Sequence, residues 1–195
     1  VVSCILRNIK FDVQSYNSFI DLQDKLHNNI CRRRTLCSMG THDYDLVHGP
    51  ITYEAHPPKD IKFTALKQTQ EMDCVQLFDV LKDDLKLKKY LDIIKDKPRY
   101  PVFYDSKRTV LSLPPIINSD TTKISMDTKN VFIEVTGTDL KKCKIVLAIL
   151  ACHFSEHCQG DSQFKVEPVE VVYEHGKVET QVEPTLESDT FEVDM

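Results

Sequence analysis

Three stretches of the sequence carry side chains able to do chemistry, and the most specific is a histidine–glutamate pattern near the C-terminal end. His153, Glu156 and His157 match the H-x-x-E-H arrangement of inverted zinc metallopeptidases. Residues four apart share one face of a helix, so the two histidines can approach one ion while the glutamate acts as a base. The pattern lies just before Gly160 at the end of a predicted helix, and no later helix offers a third ligand. An amphipathic helix end therefore accounts for these residues more simply than a zinc site.

The second stretch is a polar segment at residues 40–43, which reads Gly-Thr-His-Asp. His42 with Asp43 or Asp45 can form an acid/base pair on a loop, where functional groups tend to lie. The same residues suit a turn in which Asp and Thr side chains bond to the backbone. Taken alone, the segment favours the turn.

The third candidate is a single carboxylate inside an otherwise apolar strand pattern. Glu134 lies between Ile133 and Val135, and strand alternation places it on the same face as Phe132 and Thr136. That face is either the solvated side of a sheet or the wall of a pocket. Periodicity alone favours the solvated side.

Hydrophobic periodicity predicts the strands and helices that must position these groups. Strands are predicted at residues 1–10, 35–39, 50–55, 102–104, 109–113, 130–136, 164–173 and 178–182. Residues 41–50 are predicted as a polar loop, and Pro114-Pro115 as a bend before residues 116–118. Helices are predicted from Asp12 or Ser15 to the basic residues 32–34, as two short helices within 69–97, and from Asp139 to about Cys158. The order predicts an α+β fold of one domain, with a mixed, largely antiparallel sheet and helices packed on it.

Composition narrows the possible functions of the 195-residue chain. With 41% hydrophobic and 28% charged residues, it has the make-up of a soluble globular domain with a substantial core. A net charge of -5 argues against a domain that binds nucleic acid through its own electrostatic field. Seven scattered cysteines indicate a reducing, cytoplasmic compartment rather than a disulfide framework. No apolar run approaches the roughly 20 residues that a membrane helix needs, so we expect no membrane partner.

Several segments together resemble the editing module of the archaeal and eukaryotic cytosolic phenylalanyl-tRNA synthetase β subunit. The longest is LSLPPIINSDTTKISMDTKNVFIEVTGTD at residues 111–139. It is accompanied by LRNIKF at 6–11, IDLQDKLHNNICRRR at 20–34, the Gly-Thr-His-Asp segment and Tyr-Pro-Val at 100–102. The resemblance implies an editing domain over residues 1–183 and a linker toward a further domain over 184–195. We therefore expect a fragment of a longer subunit.

The resemblance also implies an activity and partners. In the family this module hydrolyses tyrosine wrongly attached to tRNA(Phe), while the α subunit carries the synthetic site. The whole ligase is expected to contain two α and two β subunits and to use ATP and magnesium, with no cofactor site in this chain. The alternative is a structural or docking module whose editing pocket has decayed.

The pocket of the family transfers onto seven positions of this sequence. Glu134 is expected to bond the tyrosine hydroxyl, while Thr136 and Asn118, together with the terminal ribose hydroxyl, orient the attacking water. The remaining substrate-binding positions are Ser112, Thr41, His42 and Thr52, and no metal ligand is expected. Bacterial relatives have a histidine in place of Thr52. The resemblance therefore implies a mechanism that does not use that histidine.

Overall fold

The computed structural model describes residues 1–157, 164–173 and 181–184, and their strands form two main sheets and one small one. The five-stranded sheet has the order β11-β10-β1-β9-β2. Its strands are β1 (Val2–Arg7), β2 (Cys37–Asp43), β9 (Val131–Gly137), β10 (Lys165–Val171) and β11 (Gln181–Glu183). The four-stranded sheet has the order β3-β6-β7-β8, with β3 (Thr52–His56), β6 (Tyr100–Tyr104), β7 (Val110–Leu113) and β8 (Ile117–Asn118). A two-stranded sheet joins β4 (Lys62–Phe63) to β5 (Met72–Asp73).

Four helices accompany these sheets within the described residues, and they confirm the α+β class. They are α1 (Val13–Asn28), α2 (Cys74–Leu81), α3 (Lys88–Leu91) and α4 (Leu140–His157). All neighbouring strands described here are antiparallel. The single sheet expected from the sequence is divided in two, because the chain builds a separate core on each main sheet.

The first core lies between the five-stranded sheet and the helices α1 and α4. Alternate residues of β9, including Ile133 and Val135, face this core together with Leu147 of α4. Phe19 of α1 and Phe154 of α4 meet with ring centroids 4.2 Å apart and are fully buried. The second core lies between the four-stranded sheet and α2 and α3, and it contains the alternate residues of β6. Each sheet therefore keeps one face for its helices and turns the other toward the middle of the molecule.

The end of α1 differs from the prediction. The helix is capped by Asp12, as predicted, whose carboxylate accepts a backbone N–H of the first turn at 2.6 Å. It ends at Asn28, before the arginines that were expected in its last turn. Residues 32–34 have φ values of 48°, 52° and 65°, and such left-handed backbone cannot continue a right-handed helix. The turn instead carries Arg34 toward the four-stranded sheet.

The predicted loop after Gly40 is also different in the structure. β2 continues through Thr41 and His42 to Asp43, because it stays paired with β9 as far as Val131. Ladder pairing with a buried central strand outweighs the polar, turn-like composition of this segment. The acid/base loop is therefore a strand, and neighbouring side chains on it point to opposite faces.

The remaining predictions concern the C-terminal part. The helix after Asp139 is confirmed as α4, and β10 and β11 pair as the predicted hairpin strands. The connection at residues 174–180 and residues 185–195 of the linker predicted at 184–195 lie outside the described residues. Within the described ranges, no helix is long and apolar enough to cross a membrane.

Candidate functional site

Two rows of side chains face each other between the main sheets. Residues directly opposite in adjacent antiparallel strands lie on the same face of a sheet. In the five-stranded sheet, one row crosses β1, β9 and β2 as Ser3, Glu134 and Gly40. In the four-stranded sheet, the other row crosses β3, β6, β7 and β8 as Tyr53, Phe103, Ser112 and Asn118.

The two rows meet at the carboxylate of Glu134. Ser112 Oγ donates a hydrogen bond of 2.9 Å to Glu134 Oε1, and both side chains are 1% exposed. The carboxylate lies over Gly40, where a Cβ atom would overlap Oε1 and would also come within 3.1 Å of Asn118 Oδ1. Serine, glutamate and asparagine side chains from three strands therefore converge above one glycine.

The environment of Glu134 opposes its negative charge. Burial raises the pKa of Glu134, and the neighbouring His42 and Ser112 offset only part of that shift. His42 Nε2 lies 4.0 Å from Oε1, too far for a hydrogen bond, so its contribution is electrostatic. Among the described residues, neither Glu134 Oε2 nor His42 Nε2 has a hydrogen-bond partner, although both atoms are buried. A buried polar atom without a partner is costly, and it suits a site that receives a polar ligand.

The Nδ1 atom of His42 and the hydroxyl group of Thr136 both have hydrogen-bonding neighbours. His42 Nδ1 lies 2.9 Å from Thr122 Oγ1, which orients the imidazole. Thr136 lies on the same face as Glu134, and its Oγ1 is 3.1 Å from the Oγ of Ser38. The structure thus confirms that Glu134 and Thr136 share a face, and it shows that this face is buried rather than solvated.

Asn118 connects the two sheets at the edge of β2. Its Nδ2 donates to the backbone carbonyl of Thr41 at 3.3 Å, which holds β8 against the free edge of the five-stranded sheet. Asn118 is partly exposed and Tyr53 is 44% exposed, so both ends of the row in the four-stranded sheet reach solvent.

Two of the seven expected residues point elsewhere. The Thr41 side chain lies on the helix side of β2, with Oγ1 3.5 Å from Gln23 Oε1 of α1. Only its carbonyl reaches Asn118. Thr52 is exposed on β3, on the opposite strand face from Tyr53, and donates a 2.5 Å hydrogen bond to Glu54. The structure brings Glu134, Ser112, Asn118 and His42 together around Gly40, and it places Thr136 on the same face two residues along β9 from Glu134.

Sequence reasoning missed Gly40, which lies under the carboxylate, and Tyr53 and Phe103, which lie on the facing row with Ser112. Tyr53 and Phe103 stack at 4.7 Å between ring centroids. Burial raises the pKa of Tyr53, and the charge on Glu134 adds to that shift, which is consistent with proximity of the two side chains. The predicted hairpin does not give this position of Phe103, because the register that places Phe103 opposite Ser112 shifts between Phe103 and Tyr104.

Arg34 holds the bend between β7 and β8 in place. Its Nη1 donates to the carbonyls of Pro115 and Ile116 at 3.1 and 2.9 Å. The guanidinium also lies 4.3 Å from the ring centroid of Tyr90 in α3. This bend lies between Ser112 and Asn118. Arg34, in the turn between α1 and β2, therefore helps to hold both residues in position.

The zinc alternative concerns residues that are only partly described. α4 includes His153 and ends at His157, but the side chains of residues 155–157 lie outside the described part of the structure. Elsewhere in the described chain, no group of three or more His, Cys, Asp or Glu side chains is arranged to hold a metal ion.

Comparison with known proteins agrees with this fold. A family model for the B3/4 domain matches residues 6–146. The cytoplasmic phenylalanine–tRNA ligase β subunit of Arabidopsis thaliana is 58% identical over 177 residues, which is 91% of this chain and 29% of that protein. The β subunit of Homo sapiens is 54% identical over 179 residues, covering 92% of this chain and 30% of that protein.

A solved structure shares the fold over nearly the whole chain. It is the crystal structure of an N-terminal fragment of the phenylalanyl-tRNA synthetase β subunit from Pyrococcus horikoshii. The TM-score is 0.84 at 34% identity, with 94% of this chain and 50% of that chain covered. The chain belongs to the B3/4 domain family. Its relatives are β subunits of phenylalanine–tRNA ligase, and it spans 29 to 30% of the length of those cited here.

Proposed function

We propose that this chain is the editing module of a phenylalanine–tRNA ligase β subunit and hydrolyses the ester of tyrosine mischarged on tRNA(Phe). The observation that carries the proposal is the buried carboxyl group of Glu134. One of its oxygens accepts from Ser112, and the other has no partner among the described residues. A phenol hydroxyl can bond that second oxygen whether the carboxyl group is ionised or protonated.

The choice of tyrosine over phenylalanine follows from this unpaired oxygen. A synthetic pocket shaped for phenylalanine has difficulty rejecting tyrosine, which adds only a hydroxyl group to an apolar outline. In the editing pocket the hydroxyl group favours tyrosine, because bound phenylalanine leaves the Glu134 oxygen without a partner. An unpaired buried polar group costs about 1–3 kcal/mol, and more when it is charged.

Hydrolysis is assigned to a water molecule positioned near Asn118 and Thr136. The water oxygen bonds to the tyrosyl carbonyl carbon, the ester bond to the ribose oxygen breaks, and a proton passes to that oxygen. An aminoacyl ester is already reactive, so orientation of the water by these residues and the neighbouring ribose hydroxyl supplies the required help. The exposed position of Thr52 is consistent with a mechanism in which position 52 supplies no base.

The wider role is proposed from the relatives, since the chain spans only part of their length. The synthetic reaction, with its ATP and magnesium, is assigned to the remainder of a cytoplasmic ligase that contains α subunits and binds tRNA(Phe).

The proposal is tested by Glu134→Ala in the complete ligase, with hydrolysis of Tyr-tRNA(Phe) and charging with phenylalanine as the two readouts. Loss of one buried hydrogen bond to the substrate, worth about 1.5–3 kcal/mol when the group is charged, predicts a fall of roughly 10- to 150-fold in hydrolysis. Phenylalanine charging should be unchanged. Glu167→Ala, which removes a surface carboxylate paired with Arg7, is the matched control.

Two outcomes would contradict this function. Full hydrolysis by Glu134→Ala would remove Glu134 from tyrosine recognition. A wild-type enzyme with no Tyr-tRNA(Phe) hydrolysis would instead support a structural or docking role with a decayed pocket.

A further inference from the structure

Gly40 is the β2 residue directly opposite Glu134, and its missing side chain decides where the carboxylate lies. Opposed side chains of an antiparallel pair normally stand side by side off the sheet. Here the carboxylate lies across β2, so a Cβ atom on residue 40 would overlap Oε1 and come within 2.9 Å of Glu134 Cδ. Glu134 therefore occupies the volume that any other residue at position 40 would fill with its own side chain.

The need for glycine at this position is spatial. The backbone at Gly40 does not adopt a left-handed conformation, so its φ angle does not require glycine. Glycine inside a strand weakens that strand, because it has no side chain to pack and loses more backbone freedom on folding. The remaining physical reason for glycine at position 40 is that the Glu134 carboxylate occupies the space above the backbone.

We infer that Gly40 is a positioning residue that sets the tyrosine preference through Glu134, an inference that rests on the proposed function. With Gly40, the carboxylate lies low enough to accept from Ser112 at 2.9 Å and to stand 4.0 Å from His42 Nε2. A methyl group at position 40 would occupy the volume of Oε1, so the carboxylate has to leave the position in which Oε1 accepts from Ser112. The bond to Ser112 is then lost, and the unpaired Oε2 no longer lies where the phenol hydroxyl meets it.

A double-mutant cycle in the complete ligase tests this inference. Wild type, Gly40→Ala, Glu134→Ala and the double variant are compared for kcat/KM of Tyr-tRNA(Phe) hydrolysis. In the wild-type background, Gly40→Ala should lower this constant at least tenfold, which corresponds to about 1.4 kcal/mol. In the Glu134→Ala background, the same change should cost less than about threefold, because no carboxylate remains to be displaced and only Asn118 Oδ1, 3.1 Å from the new Cβ atom, has to adjust.

Gly49→Ala is the matched control, because a Cβ atom on Gly49 meets no heavy atom within 4 Å. It should retain wild-type hydrolysis. Phenylalanine charging should stay unchanged in all five proteins. The ratio of Tyr-tRNA(Phe) to Phe-tRNA(Phe) hydrolysis should fall in Gly40→Ala, which general damage to β2 would not produce.

Each outcome of these measurements either supports or overturns the inference about Gly40. An equal loss in both backgrounds, or unchanged hydrolysis in Gly40→Ala, would overturn it while leaving the editing function intact. Absence of hydrolysis in the wild type would overturn the editing function first, before any variant is measured. If Gly40→Ala fails to fold and the double variant folds, the clash with Glu134 is supported. Failure of both would assign Gly40 to strand stability and overturn the inference.

Discussion

The two faces of the five-stranded sheet are built by the same strands, yet they differ in chemistry. On β9, Val131, Ile133 and Val135 face α1 and α4 within an apolar core, whereas Glu134 and Thr136 face the other sheet. All five residues are buried. Burial therefore does not distinguish the stabilising face from the functional one. The distinguishing feature is that the second face buries two polar atoms that have no hydrogen-bond partner in the described chain.

The largest expected effect belongs to the apolar face. Phe19→Ala removes a fully buried ring that packs against Phe154 at 4.2 Å, and a cavity of this kind typically costs about 3–5 kcal/mol. Urea denaturation of the chain should show this loss. The polar-face counterpart is the double variant Ser38→Ala/Thr136→Val, which replaces both members of a hydrogen bond and should cost under about 1 kcal/mol. Similar losses of unfolding free energy in Phe19→Ala and in the double variant would contradict the expected energetic difference between the two faces.

The sequence predicts some features of these two faces and not others. Strong periodicity predicts β9 and α4, and alternation places Glu134 and Thr136 on one face. The division into two sheets is not predictable in this way, because it depends on pairing between distant strands. The row from Tyr53 to Asn118 depends on a register that shifts between Phe103 and Tyr104.

Arg34 shows a second limit of sequence reasoning. Three consecutive arginines after a helical pattern suggest charges that oppose a helix dipole. The backbone instead turns left-handed at all three, and Arg34 reaches the carbonyls of Pro115 and Ile116. Its role depends on tertiary contacts more than eighty residues away along the chain.

Glu134→Gln is expected to separate stability from function on the polar face. Because burial raises the folded-state pKa of Glu134 above the ordinary glutamate value of 4.5, the folded wild type binds more protons than the unfolded chain above that pH. The wild type therefore loses stability, relative to the glutamine variant, as the pH rises from 4.5 through the folded-state pKa. The difference amounts to about 1.4 kcal/mol for each unit by which the pKa is raised.

Denaturation at pH 4 and pH 8 measures this slope. Glu167→Gln gives the opposite sign, because the hydrogen bond from Arg7 lowers the pKa of Glu167. Its wild type should gain stability relative to the variant as the pH rises toward 4.5. Identical pH profiles for the two variants would show that the surroundings of Glu134 do not disfavour its charge.

The smallest expected effect concerns His42, which lies beside the carboxylate but has its Nδ1 committed to Thr122. If the imidazole shapes the cavity and contributes only electrostatically to Glu134, His42→Ala should slow Tyr-tRNA(Phe) hydrolysis by about tenfold or less. A general base contributes typically 10²–10⁴-fold, so the two roles are well separated in magnitude. His42→Gln, which retains a hydrogen-bonding group, should lie between the wild type and His42→Ala. A thousandfold loss in both variants would make His42 the base and would replace the water-orienting mechanism proposed for Asn118 and Thr136.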